Sequence, residues 1–150
     1  MSEETPIKYH LFISYSRKQG DWVRKLVTDL ETKRGLVCFL DEWDLRPGAE
    51  LRAAIRDAIV ASRRVGIVIS PDSMASQYVG LEKAMATLPD PAGRKRTLIP
   101  LYRVDCGSSL PRDIGILNYI DFRDDQRYEE KVEDLVLEVC DLPPKRRYDG

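Results

Sequence analysis

Short apolar runs alternate along this chain with longer segments whose apolar side chains return every three or four positions. Five runs stand out: YHLFIS (9–14), LVCFL (36–40), RVGIVIS (64–70), TLIPLY (97–102) and NYIDF (118–122). They are rich in β-branched and aromatic residues and almost unbroken in hydrophobicity, as strands covered on both faces must be. The segment 21–35 repeats Trp22, Leu26 and Leu30 at helical spacing and meets Gly35, which can end a helix by taking a left-handed backbone. A second helix, 49–62, aligns Leu51, Ile55 and Ile59 on one stripe with arginines opposite. Ser70 and Pro71 stand in the order of an N-cap and a first helical residue, opening a third helix that runs to about Leu88. The sequence PDPAGRKR (89–96) breaks it, and after a loop-like stretch from Arg103 to Gly115 a final amphipathic helix spans 127–142.

Strands alternating with helices predict repeated right-handed βαβ units. The fold class is therefore α/β: a flavodoxin-like, doubly wound, five-stranded parallel sheet of order 2-1-3-4-5, flanked by helices. Such sheets bind ligands outside the carboxyl ends of their strands, where the winding reverses, here between strands one and three. The loops SYSRKQGD (14–21) and SPDSMASQ (70–77) would line that point.

Composition narrows the function classes. At 150 residues, with 43% hydrophobic and 33% charged, the chain suits one globular domain. Its net charge of −1 supplies no field for nucleic acid, and the one short basic run, Lys145 to Arg147, reads as a solvated tail. Cys38, Cys106 and Cys140 are odd in number and far apart, which fits neither a disulfide framework nor a metal site and suits a reducing, cytoplasmic setting. The polar, acidic start carries no apolar stretch behind a positive flank, and no run reaches the roughly 20 apolar residues that span a bilayer. The expectation is a soluble protein that contacts neither membrane nor nucleic acid.

Several α/β chemistries lack their residues. No GxGxxG follows strand one and no GxxxxGK[ST] occurs, which removes the two common phosphate cradles. Phosphorelay receivers resemble this architecture, but their acidic positions read Ser14–Tyr15–Ser16 and Ser70–Pro71 here. The single histidine, His10, falls within strand one, where a packed core residue is expected, so metal and Ser–His–Asp chemistry lack ligands and base.

Four collinear stretches, HLFISYSRKQGDWV, VCFLDEWDLRPGAEL, VGIVISPDSMASQYVGLEKAM and RTLIPLY, resemble the ordered boxes of TIR (Toll/interleukin-1 receptor) domains. The likeness covers about Lys8 to Leu142. It divides the chain into a flexible N-terminus (1–7), a TIR domain (8–142) and a linker or tail (143–150). Asp41 to Glu50 corresponds to the family's BB loop, with Asp41, Glu42, Trp43, Asp44, Leu45, Arg46, Pro47 and Gly48 as its interaction residues. SQYVGLE resembles the S-x-W-C-x-x-E segment of the family, with Tyr78 for Trp and Val79 for Cys.

TIR domains are of two kinds: adaptors that only assemble, and enzymes that cleave NAD+ between nicotinamide and ribose. Resemblance to the enzymatic, bacterial kind implies that Glu82 is the catalytic glutamate. One carboxylate suffices for that chemistry. Most glycosidic cleavages use two, one of them protonating the leaving oxygen, but nicotinamide already carries the positive charge and departs neutral. The protein needs only to stabilise the oxocarbenium-like ribose, an electrostatic effect on the order of a thousandfold per well-placed group. Tyr78 and Glu82, four residues apart, share a helix face, while Leu81, Ala84, Met85 and Leu88 form the stripe that packs on the sheet. Taken alone, a glutamate in a helix is most often a solvated surface residue; the resemblance is what marks this one.

The remaining candidates for substrate binding are Ser14, Tyr15, Arg17, Trp43, Ser76 and Tyr78. Arg17 either contacts the pyrophosphate or carboxamide end of the dinucleotide or is simply solvated. Trp43 either stacks on adenine or binds a neighbouring TIR domain. Asp41 and Asp44 would brace the BB loop, Ser70 reads as an N-cap, and Asp21 and Trp22 as helix-start residues. The resemblance thus implies an NAD+ glycohydrolase giving nicotinamide and ADP-ribose or a cyclic isomer, with NAD+ as substrate and no other cofactor. It also implies self-association with other TIR domains and a sensor domain beyond the C-terminus; the rival is a non-catalytic TIR–TIR adaptor module.

Overall fold

The computed structural model describes residues 7–43, 53–71, 81, 85–86, 88, 98–107 and 119–140. Strands β1 (Tyr9–Ser16), β2 (Cys38–Trp43), β3 (Ser62–Ile69), β4 (Leu98–Tyr102) and β5 (Ile120–Asp121) form one sheet in the order β2-β1-β3-β4-β5. Every neighbouring pair is parallel, as the alternating pattern predicts. Helices α1 (Gly20–Arg34) and α2 (Ala53–Val60) follow the first two strands, and a final helix (Tyr128–Val139) follows the fifth.

Alternation along the strands builds two cores. On one face Leu11, Ile13 and Tyr15 pack with Val23, Leu26 and Leu30 of α1 and with Val132, Leu135 and Val139 of the final helix. On the other, Phe12, Val65, Ile67 and Ile69 pack with Ile55 and Ile59 of α2 and with Leu81. Each fully buried Leu, Ile or Phe contributes about 1.5–3 kcal/mol, so both faces are needed to offset the chain entropy of folding.

Helix α1 presents Val23, Leu26, Val27 and Leu30 to the core, with Trp22 half-buried at the margin of that stripe. It ends where the periodicity predicts. Gly35 takes φ 68°, its N–H donating to the Leu30 carbonyl, and Leu36 N–H reaches the same oxygen at 3.1 Å. The expected second helix stops earlier than residue 62, at Val60. The Ala61 N–H still bonds the Asp57 carbonyl at 3.0 Å, but the Ala61 carbonyl accepts from Lys8 and Tyr9 N–H, which commits the next residue to the sheet. The first residues of that helix, 49–52, lie outside the described residues.

Two strands run on past the carboxyl ends of their apolar runs, whereas β5 keeps only Ile120–Asp121 of the run 118–122. β1 extends to Ser16 and β2 to Trp43, in register as Ser14 opposite Asp41, Tyr15 opposite Glu42 and Ser16 opposite Trp43. Asp41, Glu42 and Trp43 are therefore strand residues by backbone and not part of a loop, a correction to the BB-loop boundary. The ladder continues because backbone pairing does not need apolar side chains; polarity here marks the carboxyl ends of the strands. His10 corrects a second expectation. It is half-exposed and not packed in the core: its Nδ1 accepts the Val37 N–H at 2.8 Å while its own N–H donates to the Val37 carbonyl.

Candidate functional site

The winding reverses between β1 and β3, and the polar residues gather there. Among the described residues five polar side chains are buried: Ser14, Ser16, Asp41, Ser62 and Ser70. Four of them, all but Ser62, stand at the carboxyl ends of β1, β2 and β3. Ser14 lies between Asp41 of β2 and Ile67 of β3. By strand alternation Ser14, Ser16 and Asp41 belong to the face occupied by Phe12, Ile67 and Ile69, the face on which Leu81 is fully buried.

Tyr15 goes the other way. It packs into the opposite core with Val23, Trp22 and Tyr128, so the structure does not bring it to the face of Ser14. Burial, and then the nearby Glu42 carboxylate, push its phenol above its ordinary pKa, with Arg24 opposing. Arg17 stands in the short 3-10 turn after β1 (Arg17–Gln19) and ion-pairs with Glu42 at 3.1 Å across the mouth of the sheet. The Arg17 side chain is 89% exposed, which is compatible with either of its expected roles. Asp21 lies in the first turn of α1, as expected of a helix-start residue, and bonds Arg24. Trp22 packs edge-on against Phe122 at 5.1 Å, with the Arg103 guanidinium over its ring.

Glu82, Tyr78, Ser76, residues 44–48 and the Trp43 side chain lie outside the described residues. Of the predicted stripe on their helix, Leu81 is fully buried, and Met85 and Leu88 are half-buried against the same cluster.

Sequence reasoning missed a second polar cluster, at the ends of β4 and β5. The Tyr102 hydroxyl donates to Asp105 at 3.1 Å and accepts the Cys106 N–H at 3.0 Å. Arg123 forks onto Asp121 at 2.9 and 2.8 Å and lies over the Tyr102 ring at 4.2 Å. That fork holds the Asp121 carboxyl below its ordinary range and raises Arg123. The signal available was the Asp–x–Arg spacing that begins at the end of β5, but only the fold brings Tyr102 beneath it. This cluster is mutually satisfied and braces the far edge of the sheet. Among the described residues no group of His, Cys, Asp or Glu could hold a metal ion, and none of their helices is long and apolar enough to cross a membrane.

A doubly wound parallel sheet with buried polar residues at the switch point defines an α/β domain of the class that takes ligands at the carboxyl edge of its sheet. Residues 11–136 match the model of the TIR domain family, and the chain belongs to that family. It is 30% identical over 131 residues to the stimulator of interferon genes protein of Magallana gigas, an alignment covering 85% of this chain and 31% of that protein. The chain thus spans about a third of the length of that curated relative. Among solved structures, the TIR domain of the Toll-related receptor TRR-2 from Hydra magnipapillata is 24% identical, with a TM-score of 0.65 over 89% of this chain and 99% of that one. A metazoan TIR-STING receptor from C. gigas is 26% identical, with a TM-score of 0.56 over 89% of this chain and 42% of that one. The same receptor in complex with 2′,3′-cGAMP is 28% identical, with a TM-score of 0.58 over 88% and 40% of the two chains.

Proposed function

We propose that this TIR domain is an NAD+ glycohydrolase, releasing nicotinamide and leaving ADP-ribose or a cyclic isomer. The observation that carries the reading is the neighbourhood of Leu81. That residue is buried against the sheet face bearing Ser14, Ser16 and Asp41, and the next residue in the chain is the acid of the SQYVGLE segment, Glu82. In this reading the Glu82 carboxylate holds the ribose hydroxyls and supplies negative charge as the oxocarbenium-like sugar forms, while Tyr78 offers a stacking surface and Ser76 a hydrogen bond. No general acid is needed, because the nicotinamide leaves neutral. In this reading Arg17, in the turn after β1, would meet the pyrophosphate and Trp43 the adenine.

Self-association completes the proposal: residues 41–48 of one domain would contact the next and help finish its site. A sensor domain beyond this segment would drive that assembly, in an immune setting; the sequence suggests a bacterial effector, and the relatives above extend the comparison to Magallana gigas and Hydra magnipapillata. The C. gigas receptor, solved with 2′,3′-cGAMP, makes a cyclic dinucleotide sensor a concrete candidate. The second reading, a non-catalytic TIR–TIR adaptor, is favoured by the same one-third coverage, which fits a module serving a larger receptor.

The test is a time course of NAD+ at high protein concentration with chromatographic identification of products. Nicotinamide appearing with the wild type and not with Glu82→Gln supports the enzyme. Equal, background-level loss of NAD+ with both proteins leaves the adaptor.

A further inference from the structure

The amino end of β2 is fastened by side chains. Leu36 N–H still bonds the Leu30 carbonyl of α1, and the β1–β2 ladder begins with Leu11 opposite Cys38. At this junction the Val37 amide donates to Nδ1 of His10 at 2.8 Å, and the Cys38 amide donates to the Glu31 carboxylate at 3.4 Å. The Val37 carbonyl accepts from His10 N–H at 2.8 Å and from Leu11 N–H at 3.4 Å, so two residues of β1 face one residue here, as in a bulge. Among the described residues β2 pairs with β1 alone, which makes it an edge strand.

An imidazole nitrogen accepts a hydrogen bond only while it carries no proton. The neutral His10 ring therefore keeps its proton on Nε2. Once Nδ1 is protonated as well, two donors face each other across the 2.8 Å now spanned by the bond. The half-exposed ring can turn to water, and the Val37 amide loses its acceptor. We infer that His10 is a pH-sensitive clasp on the start of β2, closed around the neutral imidazole and opened by its protonation.

The sign follows from the geometry. Because the bond needs the neutral ring, its contribution is present at neutral pH and lost on acidification. Histidine is the side chain whose ordinary range lies between about pH 5 and 8, and this chain has one. Shifted groups elsewhere move away from that window: the Asp29, Asp105 and Asp121 carboxyls go down, and the Cys38 thiol is pushed up to about 12. Ionisable groups on the surrounding elements are Lys8 on the same chain end, Arg63 and Arg64 at the start of β3, Glu31 and Arg34 at the end of α1, Cys38 of β2, and Asp57 and Glu138 in the last turns of α2 and the final helix. Arg34 is paired with Glu133, and Arg63 donates to the Cys140 carbonyl. Glu31 is the acid that already bonds this junction, so an ion pair with the imidazolium is the competing outcome. The clasp lies at the amino ends of the strands, away from the proposed NAD+ site, and does not depend on cleavage.

The experiment follows the amide signal of Val37 and the Cε1–H signal of His10 by NMR from pH 8 to pH 5, and compares melting of the wild type, His10→Asn and His10→Ala at pH 7.5 and pH 5. The asparagine oxygen can accept from Val37 without titrating in this range. The two NMR signals should move in step. At pH 7.5 the wild type and His10→Asn should melt alike, with His10→Ala about 2–4 °C lower. At pH 5 the wild type should fall to the level of His10→Ala while His10→Asn stays above both. A Val37 amide that does not move with the His10 signal would overturn the clasp. So would a wild type that keeps its lead over His10→Ala at pH 5, which would assign the imidazolium to an ion pair with Glu31. Should asparagine fail to reach Val37, the NMR titration and the comparison with His10→Ala decide the matter without it.

Discussion

The Tyr128 hydroxyl donates to the Asp29 carboxylate at 2.6 Å, joining α1 to the final helix across 99 positions of sequence. Lys25 reinforces the pair, 3.3 Å from Asp29 and 3.7 Å from the centre of the Tyr128 ring, and Lys33 approaches Asp29 at 3.7 Å. The hydrogen bond from Tyr128, more than the lysines, holds the Asp29 carboxyl below its ordinary range against the opposing effect of burial. Burial, then the bond to Asp29, raises the phenol above its ordinary value.

The pH dependence follows with a definite sign. A depressed carboxyl binds fewer protons folded than unfolded, so its contribution is present above about pH 4 and is lost as pH falls through the folded value. The raised phenol contributes below about pH 10 and is lost as pH rises through its folded value. Tyr128→Phe should lower unfolding free energy by about 1–2 kcal/mol at pH 7. Urea titrations at pH 7 and pH 3 check this: the gap between wild type and variant should shrink at pH 3.

Leu81→Ala removes a fully buried side chain from the core beneath the proposed site. The expected loss is about 2–4 kcal/mol, since the space cannot collapse completely. NAD+ turnover, measured where the variant is still folded, should fall along with stability, because this residue anchors the segment that continues into Glu82. Unchanged turnover in a folded variant would separate the anchor from the site.

Arg17→Ala should leave the melting temperature within about a degree of the wild type, because exposed ion pairs contribute little. If the guanidinium meets the dinucleotide at the mouth, KM for NAD+ should rise severalfold with kcat nearly unchanged, the signature of lost uniform binding. Steady-state kinetics across NAD+ concentrations read both terms.

Glu82→Gln keeps size and hydrogen bonding while removing the charge. NAD+ cleavage should drop on the order of a thousandfold with no change in melting temperature, as expected of charge stabilisation in the transition state. A loss of tenfold or less would assign this side chain a binding role.

Cys38 offers a chemical check on burial. Desolvation, helped by Glu31, pushes its thiol up to about 12, so it stays protonated at pH 8. Iodoacetamide at pH 8 should therefore leave Cys38 unmodified in the folded protein and alkylate it readily in urea, as read by mass spectrometry.

The pattern of apolar positions was sufficient for the number of strands and their parallel pairing; their order was taken from the doubly wound architecture such units adopt. Both-face burial leaves a continuous hydrophobic run, and helical spacing leaves a stripe; neither signal needs a distant residue to be read. Leu26, Leu30, Ile55, Ile59 and Leu81 went where that spacing put them, and Gly35 ended its helix because its backbone conformation is a local property. The motif boxes carried the family in the same way, being order and identity along the chain.

Only the tertiary structure decided where the strands end and what the polar residues there do. β1 and β2 run on to Ser16 and Trp43 because each supplies backbone partners to the other, information held in neither segment alone. Tyr15 parts from Ser14 and Ser16 by alternation, once pairing has fixed which face is which. Arg17 meets Glu42, Tyr128 meets Asp29 and Arg123 covers Tyr102 across separations that no local spacing encodes. The burial of Ser14 and Ser16 is visible only once the fold is known, because a serine in a sequence has water for a partner until the fold removes it.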